Sequence, residues 1–228
     1  MTLNVAYVAL ASNDVSATSE VLEHFLELPK QMLRSDATGE MVPVFSIGKT
    51  SLAVFPLGDP LIEGAQRPGV HHLALAGHDL EQSQTWLTQK GLQVSQQDHP
   101  GLGHRVRLVD AMTTDGVKLR LTSPLSLKPH EKGPIERIDH LGVACSDVKV
   151  SEKIFAHQLG YQVESRQTDM EVTMAIESFT SDKYGVVYHN REPVPQGGLR
   201  VCFITVGDFE LEFLANFDPR QSAEVRHG

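Results

Sequence analysis

Ile138-Asp139-His140-Leu141-Gly142-Val143-Ala144 is a short apolar run with an imidazole at its third position. Val70-His71-His72-Leu73-Ala74-Leu75-Ala76 is built the same way, and so is Val5-Ala6-Tyr7-Val8-Ala9-Leu10-Ala11. Aligned without gaps, the third positions hold His140, His72 and Tyr7. Each run is too short for a typical helix and is bounded by turn-type residues, which reads as a buried strand.

Outward from these runs the pattern repeats. Asn13-Asp14, His78-Asp79 and Ser146-Asp147 each lead into a stretch of helical pattern. In the second, Asp79 is a cap with Gln82 three residues on, Leu80, Trp86 and Leu87 make an apolar face, and Gly91 ends the helix. The first helix uses Val21, Leu22, Phe25 and Leu26. The third uses Ile154, Phe155 and Leu159 and stops at Gly160. Strand-like runs follow: 42–47 and 51–55 in the first unit; 92–96, 105–109 and 117–122 in the second; 161–166, 199–206 and 209–214 in the third. Gly48-Lys49, Asp115-Gly116 and Gly207-Asp208 form tight turns before the last strands. The unit is strand, helix, then about three strands.

The expected fold class is therefore α+β, with repeated βαβββ modules forming curved mixed sheets and helices on the outer face. Modules 1–58 and 68–125 pair, because one unit alone cannot bury both its sheet and its helix. Residues 126–136, with Pro129, Gly133 and Pro134, read as a linker, 137–217 as a third module, and 218–228 as a polar tail. Asp169 to Gln196 is left without an assignment.

Composition narrows the function. With 20 basic and 29 acidic residues among 228, the formal charge is −9, which disfavours a nucleic-acid binder. No apolar run approaches the roughly 18 residues of a membrane span, and no signal-peptide pattern opens the sequence. Cys145 and Cys202 make no disulfide framework, so a reducing, cytoplasmic setting is expected. Cys145 has no activating arrangement around it and reads as an inert thiol. Gly101-Leu102-Gly103 and Gly197-Gly198 lack the ending and the following helix of a phosphate loop.

Among 11 histidines, most fall on loops (His99, His104, His130, His189, His227) or helices (His24, His157). His71 and His72 face opposite sides of a strand, so one of them reaches the concave side. The pair that stands out is His140 with Glu212. A carboxylate between Leu211 and Phe213 is costly to bury without a cation or hydrogen-bond partner. Imidazole plus carboxylate makes half a site for zinc, iron, manganese, cobalt or nickel. The other reading is a hydrogen-bonded core His140 and a Glu212 facing water.

The threefold pattern, with His140 in Ile-Asp-His-Leu-Gly-Val-Ala and Glu212 in Leu-Glu-Phe-Leu, resembles the vicinal oxygen chelate superfamily. That group includes glyoxalase I, methylmalonyl-CoA epimerase, extradiol dioxygenases and bleomycin-resistance proteins. The resemblance implies that two modules form a cup, each giving a metal ligand from its first strand and one from its last. Carried over by residue, the third unit offers His140 and Glu212. The second offers His72 but has Arg120 in the acid's place, and the first offers Tyr7 and Ala53. Arginine opposes a divalent cation, so the first two units read as a degenerate half, either structural or holding an anionic group on His72 and Arg120.

The third unit then lacks a partner. A second copy could complete it in a homodimer, a fourth module could lie beyond this sequence, or units two and three could pair and collect His72, His140 and Glu212 as metal ligands. The resemblance implies a divalent-metal enzyme with a small-molecule substrate. It would be an isomerase or lyase of the glyoxalase or methylmalonyl-CoA epimerase type, working through an enolate or enediolate, with Glu212 as ligand and proton carrier. Alternatives are an extradiol-type dioxygenase and a metal-free binding or resistance protein.

Overall fold

The computed structural model describes residues 3–127, 133–173, 176–181, 185–190 and 194–218. Linker residues 128–132 (with Pro129 and His130) and tail residues 219–228 (with His227) lie outside the described residues.

The first module runs β1 (Asn4–Ser12), α1 (Val15–Glu20), β2 (Lys30–Arg34), β3 (Met41–Ile47) and β4 (Thr50–Pro56). The second has β5 (Gly69–Ala76), α2 (Leu80–Gln89), β6 (Arg107–Val109) and β7 (Leu119–Thr122). Together they form a seven-stranded sheet in the order β2-β3-β4-β1-β5-β7-β6. The modules join through their first strands, β1 antiparallel to β5, and each first strand runs parallel to its own last strand. The third module has β8 (His140–Ala144), α3 (Val148–Glu152), β9 (Gln162–Thr173), a hairpin of β10 (Ile176–Ser181) and β11 (Gly185–Asn190), then β12 (Val194–Val206) and β13 (Phe209–Phe217). Its sheet order is β8-β13-β12-β9, which leaves β8 at an edge among the described residues.

Local chemistry explains these boundaries. Asp14, Asp79 and Asp147 cap the three helices, accepting from the amides of Ala17, Gln82 and Lys149. Such a cap contributes about 1 kcal/mol. α1 and α3 each widen into a π-helical turn, at Val21–Phe25 and Lys153–Gln158. The turn into each last strand has a left-handed residue, Gly48, Asp115 with Gly116, or Gly207, where only glycine or a short polar residue is at ease.

Three expectations are corrected. The strand at 92–96 is reduced to one bridge, Val94 to Val109. β2, alternating partly buried and exposed residues at the sheet edge, was not among the expected strands. Asp169 to Gln196 extends β9 and β12 and adds the β10–β11 hairpin, which places the His189 backbone on a strand, not in a loop.

The two sheets share one core. Val5, Val8, Leu73, Leu75, Leu119 and Leu121 of the first pack in a single cluster with Leu87 of α2, Phe155, and Cys202, Ile204, Phe209, Leu211 and Phe213 of the third module. The Tyr161 hydroxyl donates to the Leu3 carbonyl at 2.7 Å, and Ser151 to Asp115 at 2.5 Å, which ties the sheets across their helical layer. The helix-facing sides therefore turn toward each other and both concave faces turn outward. No described helix is long and apolar enough to cross a membrane.

Candidate functional site

Register, not sequence spacing, brings the candidate residues together. In each module the residue two places after the aligned position pairs with the last strand: Ala9 with Ala53, Ala74 with Arg120, Gly142 with Glu212. The three modules thus present Tyr7/Ala53, His72/Arg120 and His140/Glu212 at equivalent places.

On β13, Phe209, Leu211, Phe213 and Ala215 are buried in the core, while Glu210, Glu212 and Leu214 take the open face. His140 Nε2 lies 3.4 Å from Glu212 Oε2, with the two side chains 45% and 18% exposed. Its other ring nitrogen, Nδ1, is 3.0 Å from Asp139 Oδ2. This bond to Asp139 raises the His140 pKa above its ordinary value, and the Glu212 charge adds to the rise. Asp139 is held below the usual carboxylate range by the same bond. Phe203 meets the imidazole edge-on at 6.0 Å. Gly142 keeps the face open beside Glu212: a side-chain carbon there would approach its carboxylate to 3.7 Å.

A shallow cavity of about 250 Å³ adjoins, lined by Arg137, Asp139, His140, Glu164, Phe203 and Glu210. Arg137 bridges Asp139 at 3.0 Å and Glu210 at 3.3 Å. His140 is exposed, so it is not a core histidine, and Glu212 lies beside it on the same open face. Imidazole and carboxylate from adjacent strands suit a divalent ion, and anchoring of Nδ1 by Asp139 leaves Nε2 aimed at Glu212, as outer-shell carboxylates do for metal-binding histidines. Among the described residues no group of three or more His, Cys, Asp or Glu is placed to hold a metal.

His72 lies elsewhere. It sits in the cup of the seven-stranded sheet, 2% exposed, with Nε2 3.5 Å from the Tyr7 hydroxyl and Nδ1 2.8 Å from Nδ1 of His71. Burial, helped by the Arg120 charge, pushes its pKa well below the ordinary value, so it is neutral. Burial raises Tyr7 to about 12. The interior is filled by Tyr7, Ala9, Val44, Phe55 and Ala74, and by Leu61, Ile62 and Leu102 from loops. The loop that brings Leu61 and Ile62 is capped by buried Asp59 and ends at Glu63 in a left-handed conformation. Glu63 reaches Arg120 at 3.6 Å, Lys118 at 2.5 Å and His71 at 3.7 Å. Burial works against ionisation of Glu63, but the bond from Lys118 and these charges outweigh it and lower its pKa. The anion beside Arg120 is thus a carboxylate of the same chain. The structure brings His140 and Glu212 together and keeps His72 in a different cup.

Glu210, Asp139, Glu164 and Phe203 were not singled out from sequence. Glu210 was legible: it shares the strand parity of Glu212. Glu164 was not, because a register irregularity beside Phe203 sets its place.

No family model matches the chain, and no curated protein matches it. Solved structures do. A mutant of 4-hydroxymandelate synthase from Streptomyces coelicolor aligns with a TM-score of 0.62 at 15% identity, covering 96% of this chain and 64% of that one. Methylmalonyl-CoA epimerase from Mycobacterium tuberculosis aligns at 0.46 and 17% identity, over 54% of this chain and 88% of its own. Streptomyces coelicolor methylmalonyl-CoA epimerase in complex with 2-nitronate-propionyl-CoA aligns at 0.48 and 17% identity, over 55% and 100%. The likeness to the synthase, of which this chain spans 64%, is a likeness of fold.

Proposed function

We propose that this chain, which has the vicinal oxygen chelate fold, is a metal-dependent isomerase or lyase of the glyoxalase or methylmalonyl-CoA epimerase type. Its site is the open face of the third module. The observation that carries this reading is the 3.4 Å approach of His140 to Glu212 on a face turned outward. His140 and Glu212 would hold a divalent ion there, which would supply Lewis-acid chemistry toward substrate oxygens and so favour loss of a neighbouring proton. His140 gives Nε2, fixed in orientation by Asp139. Glu212 would be the second ligand and the group that moves the proton. Phe203 lines one side of the adjoining cavity.

The half-site is completed by a second copy. β1 and β5 show how first strands pair in this fold, antiparallel and side by side. The edge strand β8 repeats that arrangement with the β8 of a second chain and brings two His140 and two Glu212 around one cup. A fourth module supplied in sequence would occupy the same edge.

Metal analysis of protein purified without chelator tests the reading: a divalent ion is expected, and lost in His140→Ala and Glu212→Gln. Metal-free protein whose ligand binding is unchanged in both variants would leave the binding-protein reading in its place. The histidine and carboxylate donors also fit an extradiol-type dioxygenase. Oxygen uptake with catechols would select it, and solvent-deuterium exchange at a substrate alpha carbon would select the isomerase.

A further inference from the structure

His140 is the first residue of β8, at the edge of its sheet, and residues 133–139 before it form neither helix nor strand. The start of an edge strand frays easily, whereas a ligating or proton-moving group must be held to within about half an ångström. The means of holding it come from the first module. Ile135 and Ile138 pack on the cluster of Leu22, Leu28, Phe45, Ile47 and Val54. Two equivalent turns then meet: Gly48-Lys49 precedes the last strand of the first module, and Gly207-Asp208 that of the third. The Lys49 amide donates to Asp208 Oδ2 at 2.6 Å. Gly48 is left-handed, at φ +58°, and a side-chain carbon on it would collide with the Asp208 carboxylate and crowd Arg137 Cβ and the Glu136 carbonyl, each at 3.1 Å.

We propose that the first module orients the His140 face, with Asp208 and Arg137 as positioning residues; this rests on the reading of His140 and Glu212 as the site. From the turn the contacts run on to the imidazole. Arg137 donates to the Asp208 carbonyl at 2.9 Å, to Asp139 Oδ1 at 3.0 Å and to Glu210 Oε2 at 3.3 Å. Asp139 Oδ2 is 3.0 Å from His140 Nδ1, and Nε2 is turned to Glu212. The Asp139 side chain is otherwise exposed, so Arg137 on one oxygen sets the carboxylate plane that the other oxygen imposes on the ring. The Glu210 amide, donating to the Asp139 carbonyl at 3.0 Å, fixes that backbone but leaves the ring free to turn. A half with no metal ligands of its own thus orients those of the other.

Nitrogen-15 spectra of the histidine rings in the chelator-treated full chain test this at alkaline pH, where each ring carries one proton. Wild-type His140 is expected in a single tautomer, protonated at Nδ1, the nitrogen nearer a carboxylate. Asp208→Ala, which removes the acceptor for the Lys49 amide, and Arg137→Gln should both give mixed tautomers. Asp208→Asn keeps an oxygen for that amide and should restore the wild-type ring. Cobalt(II) affinity should fall about tenfold or more in the first two variants and stay near wild type in the third, as for outer-shell partners of metal-binding histidines. Lys30→Gln, which breaks an ion pair elsewhere in the first module, should change neither reading. Arg137 is exposed, so its variant decides the matter if Asp208→Ala does not fold. Mixed tautomers in the wild type, or a ring unchanged in both Asp208→Ala and Arg137→Gln, would overturn the proposal. A single wild-type tautomer freed in both variants, in protein that takes up no cobalt, would sink the metal reading and leave the positioning standing.

Discussion

The cup of the first two modules and the open face of the third are built on one plan and finished in opposite ways. Strand order and register are the same, so Arg120 and Glu212 hold equivalent places. In the first cup the partner module covers the first strand, Leu61, Ile62 and Leu102 fill the interior, and Glu63 neutralises Arg120. In the third module β8 has one strand neighbour among the described residues, and the face keeps His140 beside Glu212, with Asp139, Glu164, Glu210, Arg137 and Phe203 around the adjoining cavity. A filled cup adds to stability, whereas an unfilled one leaves donors for a ligand. At the shared register position one cup has a guanidinium that meets a carboxylate of the chain's own loop, and the other has a carboxylate that meets a histidine of the neighbouring strand.

Breaking the open side should abolish function and leave the fold alone. His140→Ala and Glu212→Gln are each expected to lose the metal and about a thousandfold or more of turnover. Both are partly exposed, so thermal unfolding should shift little, within about 0.5 kcal/mol.

The next test concerns the bare edge. Cys145 donates its amide to Leu214, and Asp139 accepts from Glu210, so odd-numbered residues of β8 bond inward and even-numbered ones face outward. Ala144→Pro removes an outward amide and should convert a particle of about twice the chain mass into a monomer of 25.1 kDa by light scattering. A wild-type monomer would refute the paired-copy completion.

The filled side should behave in the reverse way. Arg120→Ala is expected to cost about 2 kcal/mol in denaturant unfolding, less than a fully buried pair because Glu63 is half exposed, and to leave metal content unchanged.

The smallest effect is in pH. Unfolded His72 takes up a proton below about pH 6.5 while the folded form stays neutral, so this contribution is complete above that pH and declines as pH falls, by up to about 1.4 kcal/mol per unit. His72→Gln should flatten that slope. A slope identical to wild type would mean that His72 titrates freely in the fold.

Much of this contrast was legible in the sequence. The first strands, the three aspartate caps and the last-strand turns are local signals, and the resemblance set Ala53, Arg120 and Glu212 against Tyr7, His72 and His140. What escaped depends on partners distant in sequence. Lys30–Arg34 has no apolar run, because an edge strand needs none, and the plug of Leu61 and Ile62 sits in a loop whose pattern says nothing of the cup it enters. The carboxylate for Arg120 was unforeseeable for the same reason, since Glu63 reaches it only by a left-handed turn. Residues 92–96 failed in the opposite sense: their pattern promised a strand, but one bridge is all the neighbouring backbone offers.

The single cluster behind both sheets has a consequence for how the molecule comes apart. Phe155, Phe209 and Phe213 are buried against side chains that belong to the first two modules as well as their own. Removing either half would strip the other of its cover. The two sheets are therefore expected to melt as one body.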